Sequence, residues 1–94
     1  ANKTYLYLKL SRIMPANIKT IEELRQKITS LSIDGEKSKK ILELIYQFEG
    51  EAKNKRDGKK LRKILLDVGA INVRAGSLLL DYSESCGLLS KMVL

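Results

Sequence analysis

Residues Lys59 to Tyr82, KKLRKILLDVGAINVRAGSLLLDY, constrain the fold more than any other stretch, because their hydrophobic period changes partway along. Leu61, Ile64, Leu65 and Val68 recur at helical spacing, the stripe of a helix buried on one face, while Lys59, Lys60, Arg62 and Lys63 take the opposite side. Asp57 suits the N-cap of that helix and Gly69 a left-handed C-cap. In Ala70-Ile71-Asn72-Val73-Arg74 apolar and polar residues alternate, as in a half-buried strand, and Leu78 to Tyr82 reads as a second strand. Arg74-Ala75-Gly76-Ser77 supplies a short hairpin loop, with Gly76 where a positive φ is needed. Residues 70 to 86 also allow one continuous helix, since Ile71, Ala75, Leu78, Leu79 and Tyr82 share a face. Gly76 inside that helix would cost about 1 kcal/mol relative to Ala.

Earlier in the chain, Thr4 to Leu10 (TYLYLKL) alternates Leu6, Leu8 and Leu10 against Tyr5, Tyr7 and Lys9, which favours a strand that Pro15 terminates. A helix pairing Leu6, Leu10, Ile13 and Met14 is the alternative. Thr20-Ile21-Glu22-Glu23 has the form of a capping box, opening a helix with Ile21, Leu24, Ile28 and Leu31 on its inner face, to about Ser32. Asp34-Gly35 breaks that helix, and Asp34 can cap the next, from about Glu36 to Lys53, whose stripe is Ile41, Leu44, Ile45, Phe48 and Ala52. Asn54 to Gly58 reads as a surface loop, and Ser83 or Ser85 can open a last helix carrying Leu88, Leu89, Met92 and Val93. The expected class is α+β, in the order β-α-α-α-β-β-α, with a three-stranded sheet backed by helices; an all-α bundle is the alternative.

A chain of 94 residues makes one domain, 1–94. No apolar run approaches the roughly 20 residues of a membrane helix, so neither a transmembrane segment nor a signal peptide is expected, and cytoplasmic residence is the default. With one cysteine and no histidine, the sequence offers no internal disulfide, no thiol pair for a metal and none of the commonest general base. No cofactor motif and no catalytic carboxylate pair can be recognised, so the chain reads as a non-enzyme. Gly35, Gly58 and Gly76 are isolated and build no phosphate loop.

From Leu61 to about Leu89 the pattern resembles the second half of a heavy-metal-associated-type domain, a small ferredoxin-like fold. The residues that carry it are Val68-Gly69-Ala70-Ile71-Asn72-Val73, followed by Ala75-Gly76-Ser77-Leu78-Leu79-Leu80-Asp81-Tyr82. The resemblance makes YLYLKL the first strand and implies an accessory domain of a transport or metal-handling system. The paired metal-binding cysteines of such domains are absent, so metal transfer does not carry over. Residues 16 to 56 hold extra helical segments, and no fourth strand follows the last helix, which leaves an open sheet edge.

Charge is the strongest functional signal. Net charge is +7, yet the window Lys53 to Lys63 alone holds seven basic residues against Asp57, a net of +6 that leaves +1 for the other 83 residues. Lys53, Lys55, Arg56, Lys59, Lys60, Arg62 and Lys63 are therefore the candidate contacts for an anionic partner, nucleic acid first and an acidic protein surface next. A solvated helix face is the bland counterpart. On the expected sheet, Tyr5, Tyr7, Lys9, Asn72 and Arg74 share the outer face and could stack or pair unpaired bases; packing beneath helices or in a dimer interface is the plainer role. The Thr4 to Leu10 edge offers a route to a homodimer or partner complex. Cys86 beside Gly87 would be a reactive thiol only at a helix start, and otherwise an incidental one.

Overall fold

The computed structural model describes residues 18–92, and these form five helices with no strand among them. They are α1 (Ile21–Thr29), α2 (Gly35–Lys53), α3 (Gly58–Ile71), α4 (Val73–Ser85) and α5 (Leu89–Met92). The fold is thus the all-α alternative, and the expected α+β class is overturned. So is the likeness to the ferredoxin-like heavy-metal-associated domain, because the residues that carried it fold as helices. Thr4 to Leu10, expected as the first strand and dimer edge, lies outside the described residues.

The three segments read as helices before the hairpin form where capping chemistry places them. Thr20 Oγ1 accepts from the Glu23 N–H at 3.1 Å, opening α1. Its end comes earlier than the apolar stripe implies, at Thr29. There the hydroxyls of Thr29 and Ser30 donate to the carbonyls of Arg25 and Lys27 at 2.8 and 2.7 Å, satisfying groups that another helical turn would have used. Asp34 accepts from the Glu36 N–H at 3.3 Å to open α2, and Asp57 accepts from the Lys59 N–H at 2.9 Å to open α3.

The hairpin expected over residues 70 to 82 is replaced by a helix–corner–helix. Asn72 alone leaves the helical region, at φ −154° and ψ 120°. Its N–H still donates to Val68 at 3.0 Å, closing α3, while its Oδ1 accepts from Ala75 N–H at 3.0 Å, opening α4. One residue serves as cap for both helices, so neither Gly69 nor Gly76 is needed to turn the chain. Both are buried within helices, and among the described residues only Arg56 and Gly87 have positive φ. The last helix begins at Leu89, not Ser83 or Ser85. Ser83 is buried inside α4 with its hydroxyl on the Leu79 carbonyl at 2.8 Å, and Gly87 at φ 70° makes the reversal.

Helix α3 sits at the centre, packed against α2, α4 and α5, while α1 packs on α4 and α2. The core they share runs through Leu24, Ile28, Ile41, Ile45, Phe48, Leu61, Leu65, Val68, Leu79, Leu80, Leu88 and Met92. Each fully buried Leu, Ile or Phe contributes on the order of 1.5–3 kcal/mol from the removal of apolar area from water. Short helix α5 is held by close approach: a Cβ on Gly58 would collide with the backbone carbonyl of Lys91.

Two glycine substitutions should therefore move stability in opposite directions. Gly58→Ala should destabilise by about 1–3 kcal/mol, because the Lys91 backbone must shift and cannot simply rotate away. Gly50→Ala, within α2 with nothing near the added methyl, should stabilise by about 0.5–1 kcal/mol. Asn72→Ala, which removes the shared cap, should cost about 1 kcal/mol. Urea unfolding followed by circular dichroism measures all three, and a Gly58→Ala midpoint at or above the parent's would refute the packing assigned to α5.

Candidate functional site

The run from Lys53 to Lys63 spans the end of α2, the following loop and the first two turns of α3. Three of its seven cations are engaged within the chain. Lys53 Nζ lies 3.3 Å from Glu49, which also pairs with Arg25 at 3.4 Å. Lys63 Nζ lies 3.0 Å from Asp67. Arg56, in the left-handed region at φ 53°, turns its Nε–H back onto the Ala52 carbonyl at 2.9 Å, where it closes the end of α2. Lys55, Lys59, Lys60 and Arg62 make no ion pair among the described residues.

Folding also brings carboxylates into the run. From Glu49 to Asp67 there are seven basic and four acidic side chains, a net of +3 where the narrower window gave +6. Two clefts with no lining residue in common divide the cations. Lys53 and Arg56 line one of about 230 Å³ with Glu49, Tyr82 and Cys86. Lys60 and Lys63 line another of about 360 Å³ with Gln47, Glu51 and Asp67. Two of the carboxylates are turned inward to the backbone: Glu51 accepts from the Asp57 N–H at 3.1 Å, and Asp57 from the Lys59 N–H. What remains outward is the start of α3, carrying Lys59, Lys60, Arg62 and Lys63. The backbone of Lys91 reaches the same end of α3, because α5 is seated on Gly58, and Lys91 is exposed. A charge count along the sequence misses Lys91, which lies far downstream of the run.

The sheet-face group does not assemble. Arg74 is exposed in the first turn of α4, and the Asn72 side chain is occupied in capping; Tyr5, Tyr7 and Lys9 lie outside the described residues. Cys86 is exposed just past the C-terminal end of α4, not at a helix start.

A second surface has no counterpart in the sequence reading. Arg25 of α1, Ile33 of the following loop, and Gly35, Ser38, Lys39, Leu42, Glu43 and Tyr46 of α2 line an open, mainly apolar groove of about 640 Å³. Tyr46, 70% exposed, is the only large hydrophobic side chain standing in solvent among the described residues. Gly35, Ser38, Leu42 and Tyr46 recur at i, i+3, i+7 and i+11, so the groove runs along one face of α2 for about 16 Å. The signal was present in the sequence, since Leu42 and Tyr46 fall outside the buried stripe of Ile41, Ile45 and Phe48.

Tyr82 differs from Tyr46. Its ring packs edge-on against Phe48, with centroids 6.5 Å apart and planes at 64°. Burial foremost, then a hydrogen bond with Cys86 and the charges of Cys86 and Glu49, push its phenol up to about 12. Its folded value thus lies above the unfolded value of 10.0, so its contribution to stability is intact below pH 10 and is lost as pH rises from 10 to about 12. Alkaline unfolding of Tyr82→Phe should lack that component. Ultraviolet titration of tyrosinate should lose its step near pH 12 in the same variant, and an unchanged titration would contradict the burial described for this ring.

Among the described residues no helix is long and apolar enough to cross a membrane, and no three His, Cys, Asp or Glu side chains stand close enough together to hold a metal ion. No protein-family model, curated protein or solved structure matches this chain.

Proposed function

We propose that this chain is a non-enzymatic, all-helical assembly module that docks a partner protein through the groove along α2. The observation that carries this reading is Tyr46, 70% exposed beside Ile33 and Leu42 in a groove that also holds the small residues Gly35 and Ser38 and the charged Arg25, Lys39 and Glu43. Small residues at one end and an aromatic anchor at the other suit an amphipathic helix laid along the groove, and exposed tyrosine is a frequent hot-spot residue. Lys39 offsets Glu43 around the groove and Arg25 is already paired with Glu49, so an acidic partner would have to share Arg25 with that carboxylate. A net charge of +7 opposes a second copy of the same chain. The sheet edge expected for assembly is not the surface invoked, since the described residues contain no strand.

A separate observation favours an anionic partner, nucleic acid first, at the start of α3. Lys55, Lys59, Lys60 and Arg62 have no ion-pair partner among the described residues, and the fold adds Lys91 to them. The two surfaces share no residue, so one protein can carry both.

The groove is tested by titrating isotope-labelled protein with a synthetic amphipathic helix whose apolar face is flanked by glutamates, and with a lysine-flanked control. Amide resonances at Ile33, Leu42 and Tyr46 should shift with the acidic helix, and Tyr46→Ser should weaken binding about tenfold or more, as for a hot-spot residue. No shift, or equal shifts with the control, would remove the groove as an acidic docking site. A concentration-dependent dimer abolished by Tyr46→Ser would instead assign it to a second copy.

A further inference from the structure

Resting on the second of these surfaces, we infer that the cationic start of α3, completed by Lys91, binds the phosphodiester backbone of duplex nucleic acid without reading the bases. Lys59, Lys60, Arg62 and Lys63 fall within five residues of one helix, an axial span of about 6 Å. Lys55 precedes them in the loop, and Lys91 enters from α5 at Gly58. The nearest carboxylates, Glu51 and Asp57, are held by the N–H groups of Asp57 and Lys59 and keep their charge, which lowers but does not cancel that of the cations. The Lys63–Asp67 pair is an exposed i,i+4 contact, and such pairs are weak, so Lys63 can be recruited.

The surroundings decide which polyanion fits. No aromatic side chain among the described residues stands at this face: Tyr46 belongs to the groove, Tyr82 packs on Phe48, and Phe48 is buried. With no stacking platform among the described residues, these give single strands none of the contact that ordinarily holds their bases. What remains is Coulombic, and it favours the duplex, whose phosphates supply one charge per ~1.7 Å of axis. Among the described residues, no large exposed apolar side chain stands here to insert into a lipid surface either.

Fluorescence anisotropy tests this with two short duplexes of unrelated sequence, a single strand of matched length, polyglutamate, and anionic phosphatidylserine vesicles, each at two salt concentrations. The two duplexes should bind equally and more tightly than the single strand. Lys59→Gln and Lys91→Gln should each flatten the dependence of log affinity on log salt by about 1, equally for both duplexes. Lys27→Gln, on α1, should leave the slope unchanged, and circular dichroism checks that each variant folds. Failure of every polyanion to bind ends the anionic-surface reading itself. Tighter single-strand binding, a preference between the duplexes, or equal affinity for polyglutamate or vesicles leaves that reading standing and overturns this inference. An unchanged slope in Lys91→Gln, or an equal loss in Lys27→Gln, overturns the assignment of the surface.

Discussion

The fold depends on a corner made by one residue. Asn72 closes α3 with its backbone N–H and opens α4 with its side chain, so the chain turns without spending a loop. Were the corner absent, residues 58 to 85 would form one rod about 42 Å long. Leu79 and Leu80 would then be carried away from Leu61, Leu65 and Val68, with which they share the core. Because α4 folds back along α3, it also meets α1, which gives Leu24 and Ile28 something to bury against. An asparagine suits the task because its short amide can accept from the backbone of the turn ahead while its own φ and ψ stay extended.

Much of this was legible in the sequence wherever a cap and a 3.6-residue stripe agreed. Thr20, Asp34 and Asp57 each open a helix as their spacing predicts, and the stripes of Ile41, Ile45 and Phe48 and of Leu61, Leu65 and Val68 are buried. Failure came where punctuation residues outweighed periodicity. Gly69 reads as a stop and Gly76 as a turn, and the five alternating residues Ala70 to Arg74 between them as a strand. Yet the helical alternative for residues 70 to 86 already had its face, and Ala75 and Leu79 are buried on it. Glycine inside a helix costs about 1 kcal/mol relative to alanine, less than one buried leucine returns, so packing overrides the local preference. A window of five residues holds too few periods to separate a strand from a helix passing a corner.

Charge shows the same gap between sequence and space. A count along the chain saw seven cations and one acid between Lys53 and Lys63. Helical winding sets Glu49 beside Lys53 and Asp67 beside Lys63, one turn away in each case, so the neutralising groups lay just outside the window. The opposite error hid Lys91, which reaches the same end of α3 only because Gly58 lets a distant helix touch it. The cationic surface was therefore partly visible: most of its cations lay inside the window, while the pairing carboxylates and Lys91 lay outside it. The groove was only half visible, for another reason: Leu42 and Tyr46 stand off the buried stripe, but the boundary joins α1, a loop and α2, a juxtaposition that no single stripe reports.

Helix α2 makes the two surfaces mechanically one object. Its first three turns line the groove, and its last turn leads through Arg56 into the cationic start of α3. Ile41, Ile45 and Phe48 hold the opposite face of α2 in the core, so it cannot roll to trade one surface for the other. From Tyr46 to Lys53 the axial distance is about 10 Å, at the limit where substitutions cease to couple, and no shared hydrogen bond bridges them among the described residues. Arg25 is the one side chain with a stake in both neighbourhoods, lining the groove while paired to the Glu49 that also holds Lys53. Glu49 is thus a contact that the two neighbourhoods have in common, held in place by the buried face of α2.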